Sequence, residues 1–533
     1  MPLQSEYQLM HIPKFGVFLN FLRLFLTLII YASVNITYAK TPGRFAGKGI
    51  TIGLEYAGLD SPAYVKGMAD ALSNTRMPGM KHYAEAIAWG EMQKGPNKPI
   101  DFSKLDLFVR EYQKVGFTEL TVALKSHSKW ADKDGNKFKS TNPTPKKQYE
   151  NLYRNWIQTI VERYDADGKN DMPGLRWPVR YYEIGSEFSS YEPEPVEDYL
   201  AMLSIAYDAA HAAYTNVQVA HAAFLTTPVN LNVESPSDYE SVWKNTKRHD
   251  KHHGLADIRS ILDRPDLFDV INIHNLGDPY EIEHVTKWLN YEMAMRNYQK
   301  EKIISDTIPT SYIAWGPATN CKARVQGILI PPASENDRCK LADYFKKLVS
   351  KDKKTLKWTR EFIAADHVQR TLIAAEQGYK LINLSFTIDL PFLTTKFMKA
   401  GAGISAWAGT LVINRNGRIR KKRPLYYSIQ QLVQHINNYD RIQRIKHHDS
   451  QVRLYKLQKN GKRVWVAWLQ QDGIYLPEHK SMNKKVKLSF DENIIEVEEL
   501  SIDKIAPKRK LIPINNGEYK LTLKHSPIYI FAK

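Results

Sequence analysis

The residues best suited to do chemistry in this chain of 533 amino acids are acidic, and they close short apolar runs. In Tyr181-Tyr182-Glu183-Ile184-Gly185-Ser186-Glu187-Phe188, a strand's two-residue period puts Glu183, Gly185 and Glu187 on one face, with Glu187 furthest along. A second run, Ile303-Ile304-Ser305-Asp306-Thr307, ends at Asp306. Two more end at Asn272-Ile273-His274-Asn275 and Thr387-Ile388-Asp389. Two carboxyls facing each other across a sugar-sized gap are what cleavage of a glycosidic bond requires, one protonating the leaving oxygen and the other attacking the anomeric carbon or activating water. Glu187 is the candidate acid/base and Asp306 the candidate nucleophile, with Glu55 or Asp389 next in line for the second carboxyl. His274 can hydrogen-bond that carboxyl, and Ser186 can donate one hydrogen bond to a sugar hydroxyl. Trp89, Trp130, Tyr191, Tyr280 and Trp407 offer rings on which sugar faces stack.

Strand ends converge on one face only if the strands are parallel and closed. From residue 49 to about 430, β-branched or aromatic runs alternate with helical patterns, the signature of β/α units around a parallel sheet. The predicted strands are Ile50–Glu55, His82–Trp89, Leu120–Lys125, Arg180–Glu187, Val217–Phe224, Phe268–His274, Lys302–Asp306 and Leu381–Asp389. The predicted helices include Lys104–Lys114, Gln148–Tyr164, Val196–Tyr214, Glu281–Gln299 and Glu361–Gly378. Eight such units imply a (β/α)8 barrel over residues 40–438, whose reacting groups lie at the carboxyl ends of the strands. Residues 307–358 interrupt the rhythm as a long insertion. From 439 to 533, short alternating runs separated by turn residues (Arg453–Leu457, Val464–Leu469, Val486–Phe490, Ile494–Leu500, Tyr519–Leu523) predict a small antiparallel β-sandwich.

The run Tyr182–Glu187 resembles the fourth-strand motif of the clan A retaining glycoside hydrolases. Trp89 with Glu91, the step from Ile100-Asp101-Phe102 into Leu105-Asp106, the run Asp269–His274 and the run Arg423–Tyr427 match the same group in order and spacing. The resemblance covers roughly residues 49–533 and implies an O-glycosyl hydrolase acting on a polysaccharide or oligosaccharide, with its acid/base on strand four and its nucleophile on strand seven. It implies no cofactor. Where the group has Asn before the acid/base this chain has Ser186, and where it has a Glu nucleophile this chain has Asp306, one methylene and so about 1.5 Å shorter. Both departures keep open a second reading, a barrel that binds glycan without cutting it.

Composition agrees with a globular protein: 43% hydrophobic, 25% charged, with 27 Gly and 27 Pro. The formal charge of +18 favours anionic partners. No nucleic-acid recognition motif accompanies the basic run Arg415–Arg423, so an acidic glycan or a membrane surface matches it better than nucleic acid does, and plain solvated charge is the simplest reading. His249, His252 and His253 sit among charged residues and read as a solvated face, not a metal site. Residues 1–39 read as a signal peptide, an apolar run from Phe15 to Ala32 followed by Thr37-Tyr38-Ala39; an uncleaved membrane anchor is the alternative. Either way the body of the chain is exported, periplasmic or secreted, where Cys321 and Cys339 are expected to pair in a disulfide. Nothing in the sequence sets the oligomeric state.

Overall fold

A computed structural model describes residues 49–133, 142–188, 194–225, 238, 240–241, 253–309, 335–391, 405–471, 475–478, 483–514 and 518–533, within a unit that runs from Gly47 to Lys533. Eight parallel strands close into a barrel: β1 (Thr51–Glu55), β2 (Gly79–Lys81), β3 (Glu119–Leu124), β4 (Tyr181–Ile184), β5 (Gln218–His221), β6 (Val270–Asn275), β7 (Glu301–Thr307) and β8 (Leu381–Leu384). Closure comes from the pairing of β1 with β8 and of Ala220 on β5 with Val270 on β6. A parallel sheet covered by helices is buried on both faces, which is why β1, β3, β4 and β6 are buried at every position. β1 and β2 approach closely at Gly53 and Gly79. A Cβ on Gly53 would lie 3.0 Å from the Gly79 carbonyl carbon and 2.2 Å from the Asn383 side-chain oxygen.

The helices outside the barrel are α1 (Pro62–Ser73), α2 (Ser103–Lys114), α3 (Glu150–Arg163), α4 (Val196–Ala213), α5 (Leu255–Leu262), α6 (Glu281–Met295), α7 (Glu335–Val349), α8 (Lys353–Glu376) and α9 (Pro424–Ile436). α8 starts eight residues before the predicted helix; the Asp352 side chain accepts from the Thr355 backbone N–H at 2.8 Å and caps it. α7 lies within the 307–358 insertion and carries Cys339, which is half-buried; Cys321 falls outside the described residues. The predicted signal peptide also falls outside them. Among the described residues no helix is long and apolar enough to cross a membrane.

One predicted strand was misplaced and three ran past the true ends, among them the fifth, which stops at His221, short of Phe224. β2 is Gly79–Lys81, not His82–Trp89; that segment instead holds a 3-10 turn (Ala84–Ile87) and a short helical turn (Trp89–Met92). β8 stops at Leu384, short of Asp389. β4 stops at Ile184 because Gly185 has φ +92°, a left-handed backbone open to glycine at little cost, so Ser186 and Glu187 ride on the loop above the strand.

A hairpin of β9 (Leu411–Ile413) and β10 (Ile419–Lys422) precedes α9. Beyond it lie β11 (Arg441–Arg444), β12 (Val452–Lys459), β13 (Lys462–Leu469), β14 (Lys484–Leu488), β15 (Ile494–Glu499), β16 (Arg509–Pro513), β17 (Tyr519–Leu523) and β18 (Ile528–Ala532). Six form one antiparallel sheet, ordered β11-β12-β13-β18-β15-β16, and β14 pairs with β17. Alternation sorts the side chains of the larger sheet. Leu454, Trp465, Ala467 and Ile530 pack with Val486, Leu488, Leu521 and Leu523 inside the sandwich, whereas Tyr455, Leu457, Val466, Trp468 and Tyr529 join the core of the barrel.

Candidate active site

The carboxyl ends of the barrel strands bring together Glu55 (β1), Lys81 (β2), Glu183 (β4), His274 (β6), Ser305 and Asp306 (β7), with Glu187 on the loop beyond β4. Three backbone bonds place that loop: Gly185 N–H donates to Leu124 O at 2.9 Å, Ser186 N–H to the Asn142 side-chain oxygen at 2.6 Å, and Phe188 N–H to Ala223 O at 2.9 Å. A Cβ on Gly185 would sit 2.3 Å from that Asn142 oxygen, so the approach of Asn142 also needs glycine there. Phe188 is buried and stacks on His253 with ring centroids 3.9 Å apart. The Glu187 side chain, between these anchors, keeps 27% of its surface exposed.

His274 is the hub. Its Nδ1 donates to Glu187 Oε1 at 3.4 Å, and its Nε2 donates to Ser305 Oγ at 2.9 Å while lying 3.4 Å from Glu183 Oε1. Burial opposes a charge on the imidazole, but the bonds to Glu183 and Glu187 outweigh it, and the ring titrates at about 9. The shift favours the imidazolium at neutral pH. Glu183 has no exposed side-chain surface and lies 3.1 Å from the Lys81 ammonium, which is 5% exposed. Burial would raise its carboxyl; Lys81 and His274 overcome that and hold it well below the usual carboxylate range. Lys81 likewise stays charged despite burial, because Glu183, Glu55 and Asp306 surround it.

Asp306 is in register with His274 on the neighbouring strand and is buried. Burial pushes its carboxyl up; His274 and Lys81 pull it down, and Glu187 and Glu183 push it up again, so the net direction is upward. Arg370 on α8, fully buried, braces these strand ends. It is paired with Asp366 at 2.6 Å and donates to the Asn275 side-chain oxygen at 2.6 Å, to the Thr307 hydroxyl and to Gly277 O at 3.0 Å. Asn275 and Thr307 are the residues immediately after His274 and Asp306. His221 also lies inside the barrel; it donates from Nδ1 to Ala222 O and accepts from Asn272 N–H, and burial drops its pKa to about 4, which makes it a neutral structural residue.

Of the sequence-predicted residues, Glu187, His274 and Asp306 meet at this mouth, with Ser186 next to Glu187. Four others do not offer what was expected. Trp89 is fully buried, its ring against Trp130, Tyr153 and Trp156 and its indole N–H donated to Gln93, so no sugar can stack on it. Tyr280 is buried at the seam with the sandwich, where its hydroxyl accepts from the Trp468 indole at 2.8 Å and Arg453 covers its ring. Asp389 is held by Arg360 at 2.9 Å and Arg423 at 3.0 Å and accepts from Gly409 N–H. Trp407 is 5% exposed, with Arg360 over its ring. Trp130 is half-buried, and Tyr191 falls outside the described residues, as do His249 and His252. Lys81 was missed because strand two was placed one segment too late. Its signal was a lone lysine closing the short run Pro78-Gly79-Met80, just ahead of the predicted strand.

No protein-family model matches the chain, and no curated protein sequence does. Solved structures do. A family 39 glycoside hydrolase from the gut symbiont Bacteroides cellulosilyticus WH2 superposes with a TM-score of 0.57 at 13% identity, over 91% of this chain and 81% of that one. The chain shares its fold. A family 30 subfamily 8 xylanase from Clostridium acetobutylicum (TM-score 0.50, 10% identity, 91% and 97% covered) and a family 51 α-L-arabinofuranosidase from Bifidobacterium longum (0.50, 10%, 91% and 96%) have the same architecture. Their coverage extends through the sandwich as well as the barrel, so the pairing of the two belongs to the shared fold.

Proposed function

We propose that the chain is a glycoside hydrolase that cleaves O-glycosidic bonds of a polysaccharide or oligosaccharide, with Glu187 as general acid/base and Asp306 as the second carboxyl. The observation that carries this reading is that Glu187 bonds to His274 while Asp306 lies in register with His274 on the neighbouring strand, at the carboxyl end of the barrel. A fixed cation there favours the anionic form of whichever carboxyl must attack or activate water, and Glu187, the more exposed of the two, is the one that can reach a leaving oxygen. Glu183 beneath them keeps the imidazole charged, against the opposing charge of Lys81. The positive formal charge points to acidic glycans among the substrates. The export reading of residues 1–39 is part of the proposal, because it puts the barrel where such polymers occur.

The upward push on the Asp306 carboxyl and its short side chain favour a second reading, a barrel that binds glycan and does not cut it. One experiment separates them. Wild type, Glu187→Gln and Asp306→Asn are incubated with neutral and acidic glycans, and both reducing-end release and binding are measured. Release by wild type, with a loss of two or more orders of magnitude in both variants and binding retained, is the expected result. Binding without release by all three proteins overturns the hydrolase reading in favour of the binding barrel.

A further inference from the structure

The hairpin between β12 and β13 carries a conflict that the chain alone does not resolve. Its turn, Asn460-Gly461, has φ of +49° and +75°, the left-handed pair that a two-residue hairpin turn needs, and it sets Lys459 directly opposite Lys462. Like charges opposed across a strand pair repel, so the arrangement lowers stability. Among the described residues no carboxylate pairs with either lysine. Lys459 donates to Gln434 O at 3.0 Å, a carbonyl left open in the last turn of α9, which fixes its ammonium in place with two N–H groups still to give. Burial pulls that ammonium down, and no neighbouring charge opposes the shift.

Both lysines line a groove of about 810 Å³ between this hairpin, the end of α9, β15, β16 and β18. Its other charges are spent: Arg509 lies 2.9 Å from Glu498, Lys533 2.8 Å from Glu496, and Arg463 2.6 Å from Glu492. The positive charge that remains belongs to Lys459 and Lys462. His435 and Phe531, half-buried with ring centroids 4.8 Å apart, give the groove an aromatic wall. A groove of this size exceeds what a single ion needs and suits a run of sugar rings, whose apolar faces pack on aromatic side chains while their acidic groups meet charge. It lies at the other end of the barrel from the active-site mouth. α9 runs back toward the amino ends of the strands, and just past its end Tyr439 packs under Gly49, which precedes β1; a Cβ on Gly49 would lie 2.8 Å from that ring.

We propose that this groove is a second carbohydrate-binding site, which takes an acidic segment of a glycan chain by seating a carboxylate or sulfate between Lys459 and Lys462. That the ligand is a glycan rests on the reading of the chain as a glycoside hydrolase; the anion site itself rests on the lysine pair. An anion between the two ammonium groups removes their repulsion and is attracted by both. Because the groove and the mouth stand at opposite ends of the barrel, one short sugar cannot fill both, whereas a long chain held at the groove raises the effective concentration of its own links at the mouth.

Binding of polygalacturonate by the Glu187→Gln protein, which should leave the polymer intact, is compared with binding of uncharged dextran and of single-stranded DNA. Lys459→Gln with Lys462→Gln, added to that protein, should weaken polygalacturonate binding about tenfold and flatten its salt dependence. Lys351→Gln with Lys354→Gln removes the same charge from exposed lysines outside the groove and should change binding by less than about twofold. Glu496→Gln, which releases Lys533, should tighten binding, a gain that a misfolded variant would not give. Equal losses in the two lysine pairs, dextran bound as tightly as polygalacturonate, or DNA bound more tightly than polygalacturonate and lost in the same groove variant, overturns the proposal. If the groove variants behave as described while wild type releases no reducing ends from any glycan, this inference stands and the hydrolase reading falls. Release of reducing ends with polygalacturonate binding indifferent to Lys459 and Lys462 overturns this inference and leaves the hydrolase reading standing.

Discussion

Replacing Lys81 by Met should be among the most damaging substitutions in the barrel, although the side chain is almost wholly buried. The ammonium lies 3.1 Å from Glu183 Oε2, and the two side chains are 5% and 0% exposed. At an effective dielectric constant near 20, that separation corresponds to roughly 5 kcal/mol of attraction. Methionine fills most of the volume and avoids the cost of burying the ammonium, which offsets part of the loss. The remainder, about 3–5 kcal/mol, is the usual result of stranding one member of a buried pair. Urea unfolding at pH 7, followed by tryptophan fluorescence, measures it. The double variant Lys81→Met with Glu183→Gln removes both charges and should recover at least half of the deficit. The deficit of the single variant should also shrink as the pH falls, because Glu183 without Lys81 takes up a proton more readily. A loss below about 1 kcal/mol, or a double variant no more stable than the single, would refute the assignment of Lys81 as the buried counter-charge.

Other predictions follow from the same chemistry. His274 titrates at about 9 in the folded chain against an ordinary 6.5, so its contribution, roughly 3 kcal/mol, is fully present below pH 6.5 and is lost as the pH rises through 9. Glu55, bound to its proton up to about pH 8, acts in the same sense over pH 4.5 to 8; stability measured between pH 6 and 9 should therefore fall, and should fall less in His274→Gln. Arg370→Lys keeps the charge but loses the fork that reaches Asn275, Thr307 and Gly277, and should lower turnover more than it raises KM by loosening His274 and Asp306. Thiol titration of the denatured, unreduced protein should find no free thiol if Cys321 and Cys339 close their loop of 17 intervening residues, a link worth about 3 kcal/mol in the chain-entropy account. Amino-terminal sequencing of the exported protein should begin at Lys40; an intact Met1 on a membrane-bound form would establish the anchor.

The barrel was readable because parallel strands buried on both faces leave uninterrupted apolar runs, and seven of the eight were placed within a few residues on that signal. Strand two was not, since Gly79-Met80-Lys81 is too short and too polar to stand out beside His82–Trp89, whose Trp89 packs in the core and whose Tyr83 is exposed, both outside any strand. Glu187 and His274 were legible as polar residues closing apolar runs. The left-handed Gly185 that carries Glu187 out of strand register was not, because residue type alone does not give a glycine's φ. Aromatic residues were the poorest guide. Trp89 and Tyr280 satisfy their polar tips internally, through Gln93 and Trp468, and a ring with an internal partner can pack in the core as easily as at a mouth. In the sandwich three strands escaped notice: β11 and β16, because edge strands such as Arg441–Arg444 and Arg509–Pro513 are largely exposed and charged, and β18, which lies inside the larger sheet.

The most direct test of the central claim is the dependence of turnover on the leaving group. Once the glycan panel has identified the sugar, aryl glycosides of graded leaving-group acidity are compared for wild type, Glu187→Gln and Asp306→Asn. If Glu187 supplies the proton, its variant should be severely slowed with poor leaving groups and substantially restored with good ones, while Asp306→Asn should remain slow across the series, because attack does not depend on acid assistance. Equal slowing of Glu187→Gln at every leaving group, or full activity in Asp306→Asn, would contradict the assignment of the two carboxyls.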